Sequence, residues 1–353
     1  MNGPDPEAED VKVSVAMVTY NHEPFIAQAI ESVLMQQTEF GVELIIGEDC
    51  STDGTREIVA QYARRHPERI RPLLHEQNAG AQANLIAVLN ACGGRYIAAL
   101  EGDDYWTDPH KLQKQVDLLE AHPDHAVCFH RAYRLDQATG EIKIDETSPP
   151  QSKPSYGLND IVRGQFIHTA SIMLRNGLVS ELPQWFYEAP VGDWPLLVLY
   201  AQYGKIGFID QAMSVHRVHG GGLWSGADVS ARQRMVDEMF AIFQEHLGPV
   251  YEKQLKASVS SHYLEKSRIS ADLGDRPNAR IYLRKSIQTS FSLRGRWIDQ
   301  GVMLVRLYCP RVHRVVRWIL KEGRFSPIRM LQGASTSRFY SALRTAFCKS
   351  GSK

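Results

Sequence analysis

Short apolar runs and segments with apolar residues at helical spacing alternate through the first 130 residues of the chain. The mostly apolar runs are typical of buried strands, and they cover residues 13–19, 42–46, 70–74, 96–100 and 127–129. The helical patterns lie between them and cover residues 24–34, 53–62, 82–91 and 111–121. Strands that alternate with helices predict an α/β fold, in which a mostly parallel sheet is covered by helices on both faces.

The pattern changes further along the chain. Residues 131–160 indicate a hairpin and a loop, residues 164–222 mix short strands with a helix around 195–203, and helical patterns follow at 232–246, 251–272 and 277–288. We therefore predict a disordered N-terminus over 1–10, an α/β domain over 11–228, a helical extension over 229–290 and a basic amphipathic tail over 291–353.

Polar residues follow three of the predicted strands at the point where each strand ends, in segments 19–23, 48–53 and 101–104. In open parallel sheets, ligands bind outside the carboxyl ends of the strands. The three segments therefore predict a single ligand site at one edge of the sheet.

The acidic segment Glu101-Gly102-Asp103-Asp104 directly follows one of these strands. Carboxylates are preferred ligands of Mg²⁺ and Mn²⁺, and such a cation neutralises the charge that develops on a departing phosphate. Gly102 allows the backbone to turn sharply and approach a ligand. The alternative is an acidic loop that caps the next helix, near Asp108.

The other two segments suit a nucleotide. Asp49 is placed to accept hydrogen bonds from a nucleobase, whereas Asp53 is expected to cap the following helix. Thr19 and its neighbours suit a base or ribose, and the same segment also suits a turn before a helix that has Pro24 in its first turn.

Four segments, taken in their order and spacing, resemble glycosyltransferase family 2. They are Val18-Thr19-Tyr20-Asn21, Asp49-Cys50-Ser51-Thr52-Asp53-Gly54-Thr55, the Asn78-Ala79-Gly80 turn with Asn84, and Glu101-Gly102-Asp103. The resemblance covers residues 11–222 and implies a GT-A fold, with a donor half over 11–130 and an acceptor half over 131–228. It also implies transfer, with inversion, of a sugar from a UDP- or dTDP-sugar to a glycan, lipid-linked or other hydroxyl acceptor, in surface polysaccharide or glycoconjugate biosynthesis.

The resemblance also implies roles for individual residues. Thr19 and Glu23 would lie near the base, Asp49 would bind it, Glu101 would lie by the ribose, and Asp103 would bind Mn²⁺ or Mg²⁺. The implied donor-binding set is Thr19, Tyr20, Asn21, Glu23, Asp49, Asn84, Glu101, Gly102, Asp103 and Arg217. Glu101 departs from the aspartate that is usual at its position, and we interpret it as a longer carboxylate that still reaches a ribose hydroxyl.

Asp193 stands at the start of a predicted helix. By itself it suits a helix N-cap, whereas the resemblance implies that it is the catalytic base, a carboxylate near the acceptor hydroxyl. Trp194 and Asp104 are the expected acceptor contacts, Trp194 because sugars stack on aromatic faces.

The segment from His216 to Gly222 completes the predicted site. Alternation along a strand places Arg217 and His219 on one face and His216 on the other. Arginine suits a diphosphate, and the resemblance implies that His219 is a metal or diphosphate ligand. The glycines suit a flexible loop that closes over the donor.

The charge of the chain is unevenly distributed. The net charge is zero, yet residues 291–353 carry 13 Lys and Arg against 2 Asp and Glu, a local net charge of +11. This predicts either a solvated basic face or peripheral contact with an anionic membrane surface; we expect no nucleic-acid partner.

The cysteines and the hydropathy of the chain indicate the cellular compartment of the protein. The five cysteines form no Cys-x-x-Cys pair, which favours a reducing compartment. No signal-peptide pattern and no apolar stretch of about 18 residues is present. We therefore expect a cytoplasmic protein, with its basic tail at the inner face of the cell membrane.

Three other functions compete with glycosyl transfer. A nucleotidyltransferase would need a glycine-rich loop near residues 19–24, and an oxidoreductase would need Gly-x-Gly-x-x-Gly; the first strand is followed by neither. A non-catalytic sugar- or nucleotide-binding scaffold remains, and the acids at Asp103 and Asp193 argue against it.

Overall fold

The computed structural model describes residues 11–145, 149, 153–290 and 296–309. The predicted disordered N-terminus and most of the basic tail lie outside these residues. The chain divides into two compact units, at residues 255 and 256. The predicted boundary after residue 228 differs because the next helix packs on the first unit, where Phe240 and Phe243 contact Trp194.

The elements follow the predicted alternation. The strands are β1 Val11–Thr19, β2 Gly41–Glu48, β3 Ile70–Leu74, β4 Tyr96–Glu101, β5 Tyr105–Trp106, β6 His125–Asp136, β7 Ile142–Ile144, β8 Ser155–Tyr156, β9 Met173–Arg175 and β10 Lys205–Val218. The helices are α1 Ile26–Leu34, α2 Thr55–Arg65, α3 Ala81–Ala91, α4 Lys111–Ala121, α5 Leu158–Ile161, α6 Gln184–Tyr187, α7 Asp193–Tyr200, α8 Val229–His246, α9 Glu252–Asp272, α10 Arg276–Thr289 and α11 Arg296–Tyr308.

Within the described residues, ten strands form one sheet with the order β3-β2-β1-β4-β9-β6-β10-β5, and β7 and β8 pair with β6 and β10. β1, β2, β3 and β4 are parallel to one another. The short β9 runs antiparallel to both β4 and β6, so β6 and its parallel partner β10 point in the same direction as β1. The mostly parallel α/β sheet is therefore confirmed, and the antiparallel β6–β7 pair confirms the predicted hairpin.

The core explains why the apolar runs become strands. Val13, Val15 and Met17 of β1 and Leu44 and Ile46 of β2 are almost completely buried. Side chains alternate along a strand, so these residues share one face of the sheet, where they pack with apolar residues of α1. Removing this apolar area from water is the main term that stabilises the unit.

The second unit is helical. Leu264 of α9, Leu283 of α10 and Met303 and Leu307 of α11 form its apolar cluster. Among the described helices, none combines the length and the apolarity needed to cross a bilayer.

Lys111 is an exception to the apolar core, because its side chain is completely buried at the start of α4. Its Nζ donates to Gln115 Oε1 at 2.7 Å and lies 3.8 Å from the centre of the Trp106 ring. Burial lowers the pKa of Lys111 to about 7, because the charged ammonium loses its hydration.

We predict that Lys111 makes stability depend on pH. Between its folded pKa of about 7 and its unfolded value of about 10.4, the unfolded chain binds more protons than the folded chain. The free energy of unfolding therefore rises with pH in this window, by several kcal/mol at about 1.4 kcal/mol per pKa unit. Urea titrations between pH 7 and pH 10 measure this rise.

The matched variants are Lys111→Met, which removes the titrating group, and Lys114→Met, which removes a partly exposed lysine of the same helix. Lys111→Met should flatten the rise, and Lys114→Met should keep it. An identical pH dependence in the wild type and Lys111→Met would contradict the assignment.

Candidate active site

Four chain segments meet at the carboxyl edge of the sheet. Thr19 at the end of β1 pairs with Glu48 at the end of β2, and Val18 pairs with Glu101 at the end of β4. β10 points in the same direction, so His219, which follows it, reaches the same edge. The predicted convergence of the segments after β1, β2 and β4 is confirmed.

The predicted metal pair is brought together. His219 Nε2 lies 2.9 Å from Asp103 Oδ2, and the side chains are only 12% and 14% exposed. A carboxylate and an imidazole in this arrangement are a donor set that fits a divalent cation. Sequence reasoning did not single out His22, whose Nε2 lies 3.8 Å from Asp103 Oδ2.

Carboxylates are concentrated around this pair. The pKa of Glu101 is raised well above its usual value by burial and then by the charges of Asp103, Asp104 and Asp193. Burial also raises the pKa of Asp103, but the hydrogen bond from His219 and the charge of His22 outweigh it, and the net shift is downward. A divalent cation would offset this repulsion, since like charges disfavour ionisation.

Asp104 has a different role from the expected acceptor contact. Its side chain is almost fully buried, and Oδ1 accepts a 2.8 Å hydrogen bond from the backbone N–H of Arg217. Oδ2 lies 3.4 Å from His216 Nδ1. Asp104 thus fastens the loop after β4 to β10, and burial removes it from the reach of an acceptor.

His216 faces the carboxylates, with its Nδ1 towards Asp104. Burial lowers its pKa, but the hydrogen bond with Asp104 and the charges of Asp104, Glu101 and Asp103 raise the pKa to about 9. Its ring stacks on His168 at 4.9 Å between centres. Alternation correctly separated His216 from Arg217, but it gave no information about what lies opposite each face.

Arg217 does not point towards a diphosphate. Its guanidinium lies between the rings of Phe25, at 5.0 Å, and Tyr105, at 4.7 Å, and it donates to Gln28 and Gln137. The side chain is buried, so Arg217 holds β10 against α1 through cation–π contacts. This corrects its assignment to the donor site.

Because β10 ends at Val218, His219 lies just beyond the strand that contains Arg217. Both side chains contact the ring of Phe25, and the ring centre of His219 lies 4.9 Å from that of Phe25.

Asn21 and Glu23 join two loops to each other. Asn21 Oδ1 accepts from the backbone N–H of Thr52 at 2.8 Å, and Glu23 Oε2 accepts from that of Gly54 at 2.8 Å. These polar atoms satisfy backbone donors just before α2. Both residues are exposed, so their contacts with a donor stay predictions. Asp53 is not the N-cap of α2, because that position is held by Gly54. From one residue earlier, its Oδ1 accepts from the N–H of Thr55, the first residue of α2, at 3.0 Å.

Asp49 and Asn84 are both almost fully buried. Asn84 Nδ2 donates to the Gly47 carbonyl at 2.9 Å, and its Oδ1 lies 3.1 Å from His75 Nε2. Both ends of the amide are occupied, so Asn84 fixes α3 to β2 and its assignment to the donor is corrected.

The two oxygens of Asp49 accept from the backbone N–H groups of Ala79, at 2.7 Å, and Gly80, at 3.0 Å. Each carboxylate oxygen retains a second lone pair. Contact of Asp49 with a base therefore stays a prediction.

Thr19 and Gly102 are buried beside each other at the carboxyl edge of the sheet, whereas Tyr20 is exposed. Thr19 Oγ1 is 3.2 Å from His22 Nδ1, and the Tyr20 side chain is 42% exposed. A Cβ on Gly102 would stand 2.5 Å from Thr19 Oγ1, so only glycine allows this approach. Their contacts with a donor stay predictions.

Asp193 is the first residue of α7, after Gly192 at the N-cap position. Its Oδ1 accepts from the Trp194 N–H at 2.7 Å and its Oδ2 accepts from Gln165 Nε2 at 2.7 Å. Asp193 lies close enough to Glu101 for its charge to raise the pKa of Glu101. The catalytic-base assignment stays a prediction, with Gln165 as a partner that sequence reasoning missed.

Trp194 belongs to the core and not to an acceptor platform. The residue is 4% exposed, its Nε1 donates to the Ile161 carbonyl at 2.8 Å, and its ring meets Phe240 and Phe243 edge to face. Its assignment as an acceptor contact is corrected. Trp224, in the segment after His219, is 45% exposed.

The chain is similar to proteins of known family. Residues 14–180 match the family model "Glycosyl transferase family 2". An uncharacterized protein of Mycobacterium tuberculosis is 38% identical over 222 residues, which are 63% of this chain and 63% of that protein.

Two solved structures share the fold. TarS of S. aureus, in complex with UDP-GlcNAc, has a TM-score of 0.60 at 19% identity and covers 89% of this chain and 92% of its own. Mannosyltransferase PcManGT of Pyrobaculum calidifontis, in complex with GDP-Man and Mn²⁺, has a TM-score of 0.54 at 18% identity, over 87% of this chain and 84% of its own.

The family match contains the ends of β1, β2 and β4, with Thr19, Asp49 and Asp103. The sheet order and the site at its carboxyl edge agree with the resemblance seen in the sequence. The domain that contains residues 14–180 belongs to glycosyltransferase family 2.

Proposed function

We propose that this protein transfers a sugar from a nucleotide-diphosphate sugar, a UDP- or dTDP-sugar, to a hydroxyl acceptor, with inversion and with the help of Mn²⁺ or Mg²⁺. The observation that carries the proposal is the Asp103–His219 pair, which lies among Glu101, Asp104 and Asp193 at the carboxyl edge of the sheet. The acceptor is a glycan or a lipid-linked sugar of surface polysaccharide or glycoconjugate biosynthesis. Binding of UDP-GlcNAc by TarS and of GDP-Man with Mn²⁺ by PcManGT supports the donor class.

Asp103 and His219 would hold the cation, which when bound supplies positive charge to a departing diphosphate. Glu101 is partly buried beside them and is placed to contact the ribose. The partial burial of these side chains reduces their contact with water, which strengthens electrostatic interactions in the site.

Asp193 would accept the proton of the acceptor hydroxyl. Gln165 and the N–H of Trp194 each donate to one of its oxygens, so the carboxylate is held in one orientation while further lone pairs remain free. Inversion in a single displacement requires the base on the face of the sugar opposite the departing diphosphate.

A non-catalytic binding scaffold would give a different experimental result from an enzyme. A non-catalytic protein would bind nucleotide-sugar without turnover across a panel of acceptors, measured by calorimetry and by release of nucleoside diphosphate. The retained carboxylates Asp103 and Asp193 favour the enzyme.

We predict that Asp193→Asn lowers kcat by about 10²- to 10⁴-fold, the usual contribution of a general base, and leaves donor binding nearly unchanged. Asparagine keeps the size and the hydrogen-bond acceptor but cannot take a proton. Release of nucleoside diphosphate measures kcat, with Asp117→Asn, on the exposed side of α4, as the control. Full transfer by Asp193→Asn would refute the base assignment.

We predict that Asp103→Asn removes the dependence of transfer on added Mn²⁺, together with most of the activity, because the carboxylate is the charged ligand of the pair. The assay varies the Mn²⁺ concentration at fixed donor and acceptor, again with Asp117→Asn as the control. A variant that keeps the wild-type dependence on Mn²⁺ would place the metal elsewhere.

We also propose that the basic tail binds anionic membrane surfaces. The part of the basic tail that follows α11, residues 310–353, carries 10 Lys and Arg against 1 Glu. Each basic residue near an anionic surface contributes about 1 kcal/mol to binding. Cutting after residue 309 keeps α11, whose Met303 and Leu307 belong to the helical core.

Co-sedimentation with vesicles of anionic and of neutral lipid compares the full chain with residues 1–309. The full chain should sediment with anionic vesicles in low salt, and the shorter chain should not. Equal sedimentation of both chains with anionic vesicles would contradict the proposal.

A further inference from the structure

The turn between α4 and β6 brings two imidazoles and a carboxylate together. Its sequence is His-Pro-Asp-His, and the ligand atoms of His122, Asp124 and His125 all lie within 4.8 Å of one another. Among the residues that the structure describes, no other three His, Cys, Asp or Glu side chains meet in this way. The cluster has no part in the proposed function.

The cluster lies at the opposite edge of the sheet from the site carboxylates. His125 is the first residue of β6, and Arg134, the register partner of His216, lies near the other end of that strand. A strand rises about 3.3 Å per residue, so about 30 Å of β6 separates the two places. An ion in the turn would therefore act on the fold and not on a sugar donor.

Backbone hydrogen bonds hold the turn in one conformation. The His125 N–H donates to the His122 carbonyl at 3.0 Å, and the Lys205 N–H donates to the Asp124 carbonyl at 2.9 Å. The His125 carbonyl accepts from Arg175 Nε at 3.2 Å. The ligand residues are therefore positioned before an ion binds, which lowers the entropic cost of binding.

The ring of His125 is fixed as well. His125 is 7% exposed, and Gly207 of β10 leaves the space for its ring, since a Cβ there would stand 2.9 Å from His125 Cδ2. Its Nδ1 lies 2.9 Å from Asp124 Oδ1, so the two ligand atoms face each other. His122 is exposed, and its ring centre lies 4.9 Å from that of His125, so His122 closes the cluster from the solvent side.

Asp124 keeps one oxygen for an ion. Its Oδ2 pairs with Lys205 Nζ at 2.8 Å, whereas its Oδ1 faces His125. Carboxylates that bind a metal are themselves hydrogen-bonded by outer partners, which orient them. Lys205 is such a partner for Asp124.

We propose that His122, Asp124 and His125 form a Zn²⁺ site that joins the end of α4 to the start of β6. Two imidazoles and a carboxylate suit Zn²⁺, whereas Mg²⁺ and Ca²⁺ prefer oxygen ligands. Zn²⁺ binds nitrogen and oxygen at about 2.0–2.2 Å in tetrahedral geometry, which places its ligand atoms about 3.4 Å apart.

The 2.9 Å contact and the 4.8 Å limit of the cluster bracket this spacing, so small side-chain rotations admit the ion. Three protein ligands leave the fourth position of the tetrahedron to water.

The test counts the Zn²⁺ ions bound by the full chain, using equilibrium dialysis and elemental analysis. A second titration uses Co²⁺, whose visible absorption is strong in tetrahedral sites. The variants are His122→Ala and Asp124→Asn, at exposed positions. The controls are His110→Ala, an exposed histidine just before α4, and Asp103→Asn, which removes the other proposed metal ligand.

We expect His122→Ala and Asp124→Asn each to weaken binding of one Zn²⁺ by about 100-fold or more, because loss of a partner behind a ligand already costs about 10- to 100-fold. His110→Ala and Asp103→Asn should keep this ion and its Co²⁺ spectrum. Zn²⁺ should also raise the midpoint of thermal unfolding of the wild type, because it binds the folded chain, and should raise that of His122→Ala less.

A Zn²⁺ affinity and a Co²⁺ spectrum that stay unchanged in His122→Ala and Asp124→Asn would overturn the site. Loss of the ion in Asp103→Asn alone would overturn it as well, and would assign the ion to the proposed active site. If one of the two turn variants does not fold, as judged by circular dichroism, the other decides the question.

Discussion

The concentration of carboxylates at the carboxyl edge of the sheet is the constraint on which the rest of the site depends. Asp103, Asp104 and Asp193 lie close enough to Glu101 for their charges to raise its pKa. Burial adds to the cost of these charges. His216 offsets part of this cost, because the hydrogen bond with Asp104 and the nearby carboxylates raise its pKa to about 9, whereas burial lowers the pKa of His22. The charge of the carboxylates is balanced only in part, so the site has the electrostatics of a cation site.

The surrounding polar residues keep the loops in place. The side chains of Asn21, Glu23, Asp49 and Asn84 hold backbone groups of neighbouring loops. Side chains locked by packing and hydrogen bonds position a site more accurately than free ones. Residues that a family comparison assigns to the donor therefore also build the rigid edge on which a donor would bind.

Much of the fold could be predicted from the sequence, because the apolar runs and helical patterns report burial directly. The convergence of the segments after β1, β2 and β4 follows from the same pattern, since parallel strands end at one edge. The Asp103–His219 pair was reachable only through the resemblance, because 116 residues separate the two side chains.

The remaining site residues could not be assigned because sequence periodicity gives the face of a residue and not its partners. Trp194 and Arg217 have the chemistry of ligand-binding residues, but the packing of α8 and α1 buries them. Asp104 likewise accepts a hydrogen bond from the backbone N–H of Arg217 in β10. The ring of His22 is positioned by its contacts with Thr19 and Asp103. These are contacts between distant parts of the chain, which local patterns do not encode.

The most direct test of the account is calorimetry of UDP binding to the wild-type protein, with Mn²⁺ and with EDTA. The account predicts that Mn²⁺ strengthens UDP binding, and that UDP strengthens Mn²⁺ binding by the same factor, because the two couplings are equal. A UDP affinity that is the same in EDTA and in Mn²⁺ would contradict a cation held by Asp103 and His219 against the diphosphate.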